Sequence, residues 1–262
     1  MSKLVWDEVG KRLYETGVSK GVLYPQSNGT YPKGVAWSGL TAVNEAPEGA
    51  EANPMYADNI KYLNILSAEE FKATIEAYTY PDEFKPCIGA EELVEGVSLG
   101  QQDHVPFGFS YQTIIGNDTE NNSHGYKIHV VYGCLAAPSA ADYQSVNDSP
   151  EAATMSWEIF TTPVSVAGFK PTATLVFDST KLSEKKMATI EKVLYGDADT
   201  EARLPLVASW LLMIQQAVFI FPPPVLGLAT GLLQVRKNRQ FRCMLMVYLN
   251  LKAKIHRWNL IQ

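Results

Sequence analysis

Four histidines, three cysteines and adjacent carboxylates such as Glu69-Glu70 and Glu91-Glu92 are the groups in this chain best equipped for acid–base, nucleophilic or metal chemistry. His104, His124, His129 and His256 stand far apart, with no two at ligand spacing. His104 and His124 fall in polar stretches and His129 alternates within an apolar run, so each reads as a solvated or hydrogen-bonded side chain. Cys87, Cys134 and Cys243 are widely separated and odd in number, which makes neither a zinc site nor a disulfide framework. They read as ordinary thiols of a reducing cytosol. Glu69-Glu70 and Glu91-Glu92 are sequence neighbours, and neighbours on a strand point to opposite faces, so neither pair is a shared acid–base site by itself. The sequence has no phosphate-cradling glycine loop, no GxSxG and no HExxH. The expectation is a chain without catalytic residues, cofactor-binding residues or metal ligands, and not an enzyme.

At 262 residues and 46% apolar content, the chain can bury a sizeable core as one large domain or as one domain with an appendage. Its net charge of −6 conceals an asymmetry. Residues 1–203 hold all 28 acids against 15 bases, a net −13, whereas residues 204–262 hold seven bases and no acid. The acidic balance gives no reason to expect nucleic-acid binding. The opening MSKLVWDEVGKRLY lacks an apolar signal core. Asn117-Asp118-Thr119 and Asn121-Asn122-Ser123 therefore read as turn residues, not glycan acceptors.

The elements that must position these groups are mostly strands. Tyr56–Leu66 and Phe71–Tyr80 are two runs rich in aromatic and branched residues, separated by the polar break Ser67-Ala68-Glu69-Glu70. In the second run Phe71, Ala73, Ile75 and Ala77 alternate with Lys72, Thr74, Glu76 and Tyr78, the period of a sheet with one buried face. A helical pattern competes: Ser67 and Glu70 form a capping box, and Phe71 and Ile75 lie one turn apart. Thr74, Ile75, Tyr78, Thr79 and Tyr80 favour the strand, and Pro81-Asp82 ends it. Lys3–Leu23 reads as an arm with one or two short strands and Val35–Val43 as a strand. Phe107–Ile115 and Tyr126–Leu135 read as a hairpin joined by the ten polar residues Gly116–Gly125. Thr154–Thr162 and Thr172–Phe177 complete a mainly β chain, a sandwich or barrel. One α-helix is expected near residues 183–195. Ser183 caps it, Leu182 and Met187 staple it, Met187, Ile190, Val193 and Leu194 form its apolar stripe, and Gly196 stops it.

Asn44–Pro54 (NEAPEGAEANP) is acidic, small and proline-bearing, and in isolation reads as an extended or disordered loop. It is either a solvated linker or a subunit-contact loop that orders on assembly. Cys87–Gln102 is acidic and punctuated by glycine.

The order and texture of these stretches resemble the major tail tube proteins of long-tailed bacteriophages. The resemblance is carried by YADNIKYLNILSAEEFKATIEAYTYPDEF (56–84), by GVAWSGL (34–40) before it and by FGFSY (107–111) after it. It runs from about Leu4 to Leu206 and rests on length and order, not on any single diagnostic residue. It implies two packed antiparallel sheets with a helix on the outside, and a homo-oligomer of hexameric rings stacked into a hollow tube. It further implies other tail proteins at the tube ends, DNA passing through without specific binding, and a virion tail made in the host bacterial cytoplasm. The resemblance favours the contact reading of the loop. It makes Asn44, Glu45, Ala46, Pro47, Glu48, Gly49, Ala50, Glu51, Ala52, Asn53 and Pro54 candidate subunit-interface residues. An acidic lumen repels phosphates and lets DNA slide, so Asp58, Glu76, Glu91, Glu92 and Glu95 are candidate lumen-facing acids. Two rivals stand beside it: the inner tube of a contractile injection system, which the fold does not distinguish, and a non-enzymatic β-sandwich module binding carbohydrate or protein.

The resemblance stops at Leu206. The expected division is a tail tube β-domain over 1–206 and an atypical apolar and basic extension over 207–262. No charge occurs between Arg203 and Arg236, a stretch long enough to span a bilayer, and basic residues follow it. Pro222-Pro223-Pro224 would break such a helix, and no membrane anchor is expected. The absence of any acid in the extension points to a coding shift or sequence error near codon 206, with a genuine extension and a membrane segment as the alternatives.

Overall fold

In a computed structural model, the described residues are 3–139, 145, 152–166 and 168–216; Cys243, His256 and most of the 207–262 extension lie outside them. The strands, in chain order, are β1 (Leu13–Pro25), β2 (Val35–Trp37), β3 (Leu40–Glu45), β4 (Glu48–Gly49), β5 (Ala52–Ala57), β6 (Ile60–Leu66), β7 (Glu69–Glu70) and β8 (Lys72–Ala77). They continue, after a 3-10 helix at Asp82–Ile88, with β9 (Glu91–Val94), β10 (Val97–Leu99), β11 (Phe107–Asn117), β12 (Asn121–Ala136), β13 (Met155–Thr161) and β14 (Thr174–Asp178). Two helices follow, α1 (Glu184–Tyr195) and α2 (Val207–Gln216). The mainly β class holds. Eight strands form one antiparallel sheet in the order β2-β1-β11-β12-β13-β8-β3, with β14 also paired to β12, and the pairs β4/β7, β5/β6 and β9/β10 are two-stranded.

The chain itself makes this sheet curl. β2 and β3 are its two ends, yet only Ser38 and Gly39 separate them. From Trp37 to Leu40 the backbone spans at most about 11 Å, so the two ends of the sheet must meet. Gly39 turns the chain at φ 80° and its carbonyl accepts from the Tyr78 amide at 2.9 Å. Val35–Val43, expected as one strand, is therefore two, paired with opposite ends of the sheet.

Curling encloses one core and leaves a second outside. The inner core gathers Leu23, Trp37, Ile75, Phe84, Phe107, Phe109, Val131, Trp157 and Ile159. Ala73, Ile75 and Ala77 are buried in β8, as their alternation predicts. Trp157 and Ile159 are buried in β13, with Met155 packed against the same core. Trp37 meets Phe84, Phe109 and Trp157 at ring separations of 4.5, 5.6 and 5.6 Å, an aromatic knot that ties strands from both ends of the sheet. The outer core uses the alternate residues of the same strands: Val22 and Tyr24 of β1, Ile128, Val130 and Tyr132 of β12, and Phe177 of β14. α1 covers them with Met187, Ile190 and Leu194, and α2 with Val207 and Trp210. Central strands that are apolar on both faces follow from burial on both sides.

α1 forms where the stripe predicts and ends at Gly196. Ser183 makes no side-chain cap; its carbonyl accepts from the Lys186 and Met187 amides instead. The ten-residue connection expected between the long hairpin strands shrinks to Asp118–Glu120. Polar residues go on pairing up to Asn117↔Asn121, and the Asn117 carboxamide accepts from the Thr119 and Glu120 amides. Lys3–Leu23 yields one long strand, β1, whose register slips twice, with Gly17 and Lys20 at positive φ. Among the described residues no helix is long and apolar enough to cross a membrane.

Candidate assembly arm and the polar cluster at its root

Antiparallel pairing does not stop where β3 and β8 leave the sheet. It passes from Glu45↔Ala73 through the Ala46 amide on the Lys72 carbonyl to Glu48↔Glu70. It continues through Ala50–Ala68 and Ser67–Glu51 backbone bonds into β5/β6. Pro47, which has no amide hydrogen, interrupts the ladder between β3 and β4. Gly49, at φ 90°, faces Ala68 so closely that a Cβ would lie 2.1 Å from its carbonyl oxygen. Asp58 and Asn59, both at positive φ, close the tip. The segment expected as an extended or disordered loop is thus the outgoing strand of a β-arm, and the run Tyr56–Leu66 contains the tip and the returning strand. Asp58-Asn59, inside an otherwise apolar run, is the turn signal that locates it in the sequence.

The arm buries almost nothing against the rest of the described chain. A bulge at Tyr62 resets the alternation of β6, so that Ile60, Leu63 and Ile65 share one face with Met55 of β5, and Leu66 shares the other with Tyr56; all are exposed, Tyr62 to 70% and Leu66 to 67%. Met55 and Tyr56 on β5 are exposed as well. Of the candidate interface residues, Asn44 and Glu45 end β3, while Ala46–Pro54 form the outgoing side of the arm.

The candidate lumen acids fall on three separate elements. Asp58 is at the arm tip. Glu76 lies on the outward side of β8, where Asn44 Nδ2 donates to it at 3.2 Å; Glu158 of β13 shares that face. Glu91, Glu92 and Glu95 occupy the β9/β10 hairpin, where Glu92 accepts from the Gly96 amide at 2.8 Å. That hairpin also exposes Leu93, Val94, Val97 and Leu99.

A polar cluster fills the inner end of the curl beside the arm root. Along β11 the inward stripe runs Phe107, Phe109, Tyr111, Thr113, passing from apolar to polar. Tyr111 donates its hydroxyl to Glu45 Oε1 on β3 and stacks on His129 of β12, ring centroids 4.7 Å apart and nearly parallel. His129 presents Nδ1 to Glu45 Oε1 at 3.5 Å, an ion-pair distance without hydrogen-bond geometry, and Nε2 to Thr113 Oγ1 at 3.0 Å. Thr113 donates to Glu15 Oε1 at 2.6 Å, and Lys127 Nζ reaches Glu15 Oε2. The neighbouring His129 ring, and then the Tyr111 hydroxyl, hold the Glu45 carboxyl below its ordinary pKa against partial burial. At Glu15 burial pushes upward, but the Lys127 and Thr113 hydrogen bonds outweigh it. Burial, reinforced by the adjacent Glu45 carboxylate, pushes the Tyr111 phenol up.

Thr113, His129 and Glu45 stand in the order nucleophile, base, orienter, but the arrangement does not work as a triad. The Thr113 proton is committed to Glu15, a carboxylate, and not to His129, while the backbone at Thr113 is paired to Lys127 of β12. The other histidines do local work: His104 Nδ1 is 2.9 Å from the Ala136 carbonyl oxygen, and His124 pairs with Glu120 at 2.7 Å. Cys87 and Cys134 are buried free thiols; burial pushes Cys87 up to about 12 and Cys134 higher still, so neither is poised as a nucleophile.

No protein-family model matches the chain, and no curated protein matches its sequence. Among solved structures, one similar chain belongs to the cryo-EM structure of the anti-feeding prophage (AFP) baseplate, 6-fold symmetrised. It has 9% sequence identity and a TM-score of 0.34, over 68% of this chain and 100% of that one. A likeness at that level identifies neither a family nor a function.

Proposed function

We propose that this chain is a structural subunit of a tail-like injection assembly and, in the finer form, a tail tube protein. Copies form hexameric rings that stack around a lumen through which DNA passes without specific binding, with other tail proteins at the ends of the tube. The observation that carries this reading is the arm, Ala46–Phe71. A two-stranded hairpin is marginal in water, and this one is apolar on both faces with neither face packed on the rest of the described chain. Such an element reaches its stable state only against another molecule. The stretch that forms it is also the one that carries the resemblance to tail tube proteins. A closed ring would in addition cover the unpaired outer edges of the two-stranded arm. The inner tube of a contractile injection apparatus stands as the alternative to the tail tube, and the fold by itself does not separate the two.

Electron microscopy of the purified full-length protein tests it. Rings or open-ended tubes are the expected result. Stable monomers at high concentration, and above all monomers that bind glycan, would replace the tube with a binding module.

A further inference from the structure

We propose that Glu45, Tyr111 and His129 form a latch that fixes the assembly arm to the wall of the subunit. The inference deepens the tube reading and rests on it for its purpose, though the latch can be measured in a single subunit.

The arm has only β3 and β8 as its base, and β3 is the last strand of the sheet order. Without further contacts the end of β3, paired on one edge only, could lift from β8 and carry the arm with it, because Pro47 interrupts the ladder just beyond the pairing that Ala46 makes with Lys72. Glu45 is the final residue of β3. Its partner Ala73 is buried in the inner core, so the Glu45 side chain points into the curl and not outward. There it meets Tyr111 and His129, which belong to strands that are not its sheet neighbours. The contact therefore ties the arm root to the opposite wall, between residues 66 positions apart in the chain. Tyr111 is held in turn by its stack on His129 and by Phe109, 5.6 Å away. Glu15 and Thr113 hold the far side of the His129 ring, Lys127 anchors Glu15, and uncharged Val176 of β14 lies opposite His129 in the ladder. On the outer face, one step beyond Pro47, Lys72 Nζ pairs with Glu48 Oε2 at 2.6 Å and lies 4.8 Å from the Phe160 ring centroid. The root is gripped on both faces, and the inner grip is the better shielded from water: Tyr111 is 3% exposed. A preset arm lowers the conformational entropy lost when it docks on a neighbour.

Amide hydrogen exchange in the isolated full-length subunit tests the latch. Tyr111→Phe keeps the ring, its stack and the packing, and removes only the hydroxyl; Glu45→Gln removes the charge at the same volume. In both variants the root amides of Ala46, Ala50 and Ser67 are expected to exchange about tenfold faster, the scale of one charge-assisted hydrogen bond. Core amides such as Phe109 and Val130 should keep the native rate. Root amides unchanged in both variants overturn the latch, and so does equal acceleration of root and core, which means global destabilisation. A wild-type protein that forms no rings sinks the tube reading while leaving the exchange result to decide the latch. Fewer or shorter tubes from Tyr111→Phe, with a normal core, supports both.

Discussion

The indole of Trp210 donates to the hydroxyl of Tyr132 at 2.7 Å, and that hydroxyl donates to the Pro205 carbonyl at 2.9 Å. The relay joins α2 to the central strand β12 across the outer core, where Trp210 also meets Phe177 at 5.0 Å. Residues just past the boundary expected at Leu206 are thus core residues. Trp210→Ala is expected to destabilise the protein by about 3–5 kcal/mol through cavity formation. Trp210→Phe should cost about 1 kcal/mol through the lost hydrogen bond. Urea unfolding checks both, and a loss below about 1 kcal/mol for the alanine variant contradicts the packing described.

The coding-shift hypothesis for the end of the chain is tested by two truncations. A shift near codon 206 predicts that a chain ending at Leu206 assembles as the full chain does; the burial of Val207 and Trp210 counts against that, and this truncation should melt lower, so loss of its assembly would sink a shift at that codon. A chain ending at Gln216 keeps both residues, and is expected to fold and assemble as the full chain does. Assembly lost on the second truncation, or a protease-resistant fold over residues 217–262, would show a genuine extension.

The arm should be dispensable for folding and indispensable for assembly. Replacing Ala46–Ala52 with a Gly-Ser linker removes β4 and the Lys72–Glu48 pair while leaving both cores intact. The expected product is a folded subunit that no longer polymerises, read by circular dichroism and electron microscopy. Tubes of normal length from this variant mean that the stretch is a linker.

If the proposed tube forms, charge reversal maps its lumen. Glu76→Lys with Glu158→Lys changes the outward face of β8 and β13, whereas a triple reversal of Glu91, Glu92 and Glu95 changes the β9/β10 hairpin. Whichever set lines the channel should reduce DNA delivery without reducing tube yield, because lysines in the wall bind phosphates. Delivery unchanged by both sets removes electrostatics from the account.

The Glu15 and Glu45 carboxyls also give stability a pH dependence. Both have native pKa values below the ordinary 4.5, so the stability they contribute is complete above that value and is lost as pH falls through the lowered native values. Urea midpoints should decline more steeply below pH 4.5 in the wild type than in the Glu15→Gln, Glu45→Gln double variant. Parallel curves would mean that these carboxyls titrate alike in the folded and unfolded chain.

Much of the sheet was legible in the sequence. The alternations of Ala73-Ile75-Ala77 and Trp157-Ile159, and the stripe Met187-Ile190-Leu194, locate β8, β13 and α1 because each element has one face in a core. Legibility failed where polar residues pair. Asn117↔Asn121 extends the long hairpin, and Glu48↔Glu70 continues the arm, with no apolar pattern to announce either. Backbone hydrogen bonds are blind to side-chain type, so polarity alone cannot separate a loop from a solvated ladder.

The sequence by itself determined the mainly β class, the position of α1, the absence of recognisable catalytic and metal motifs, and the acidic character of residues 1–203. These are local properties, written in periodicity and composition. Tertiary structure alone decided that the sheet curls until β2 and β3 meet, that Glu45 faces Tyr111 and His129, and that the acidic stretch after β3 is a strand and not a loop. Those outcomes depend on which distant strands pair and in what register, and one register brings together residues 66 positions apart.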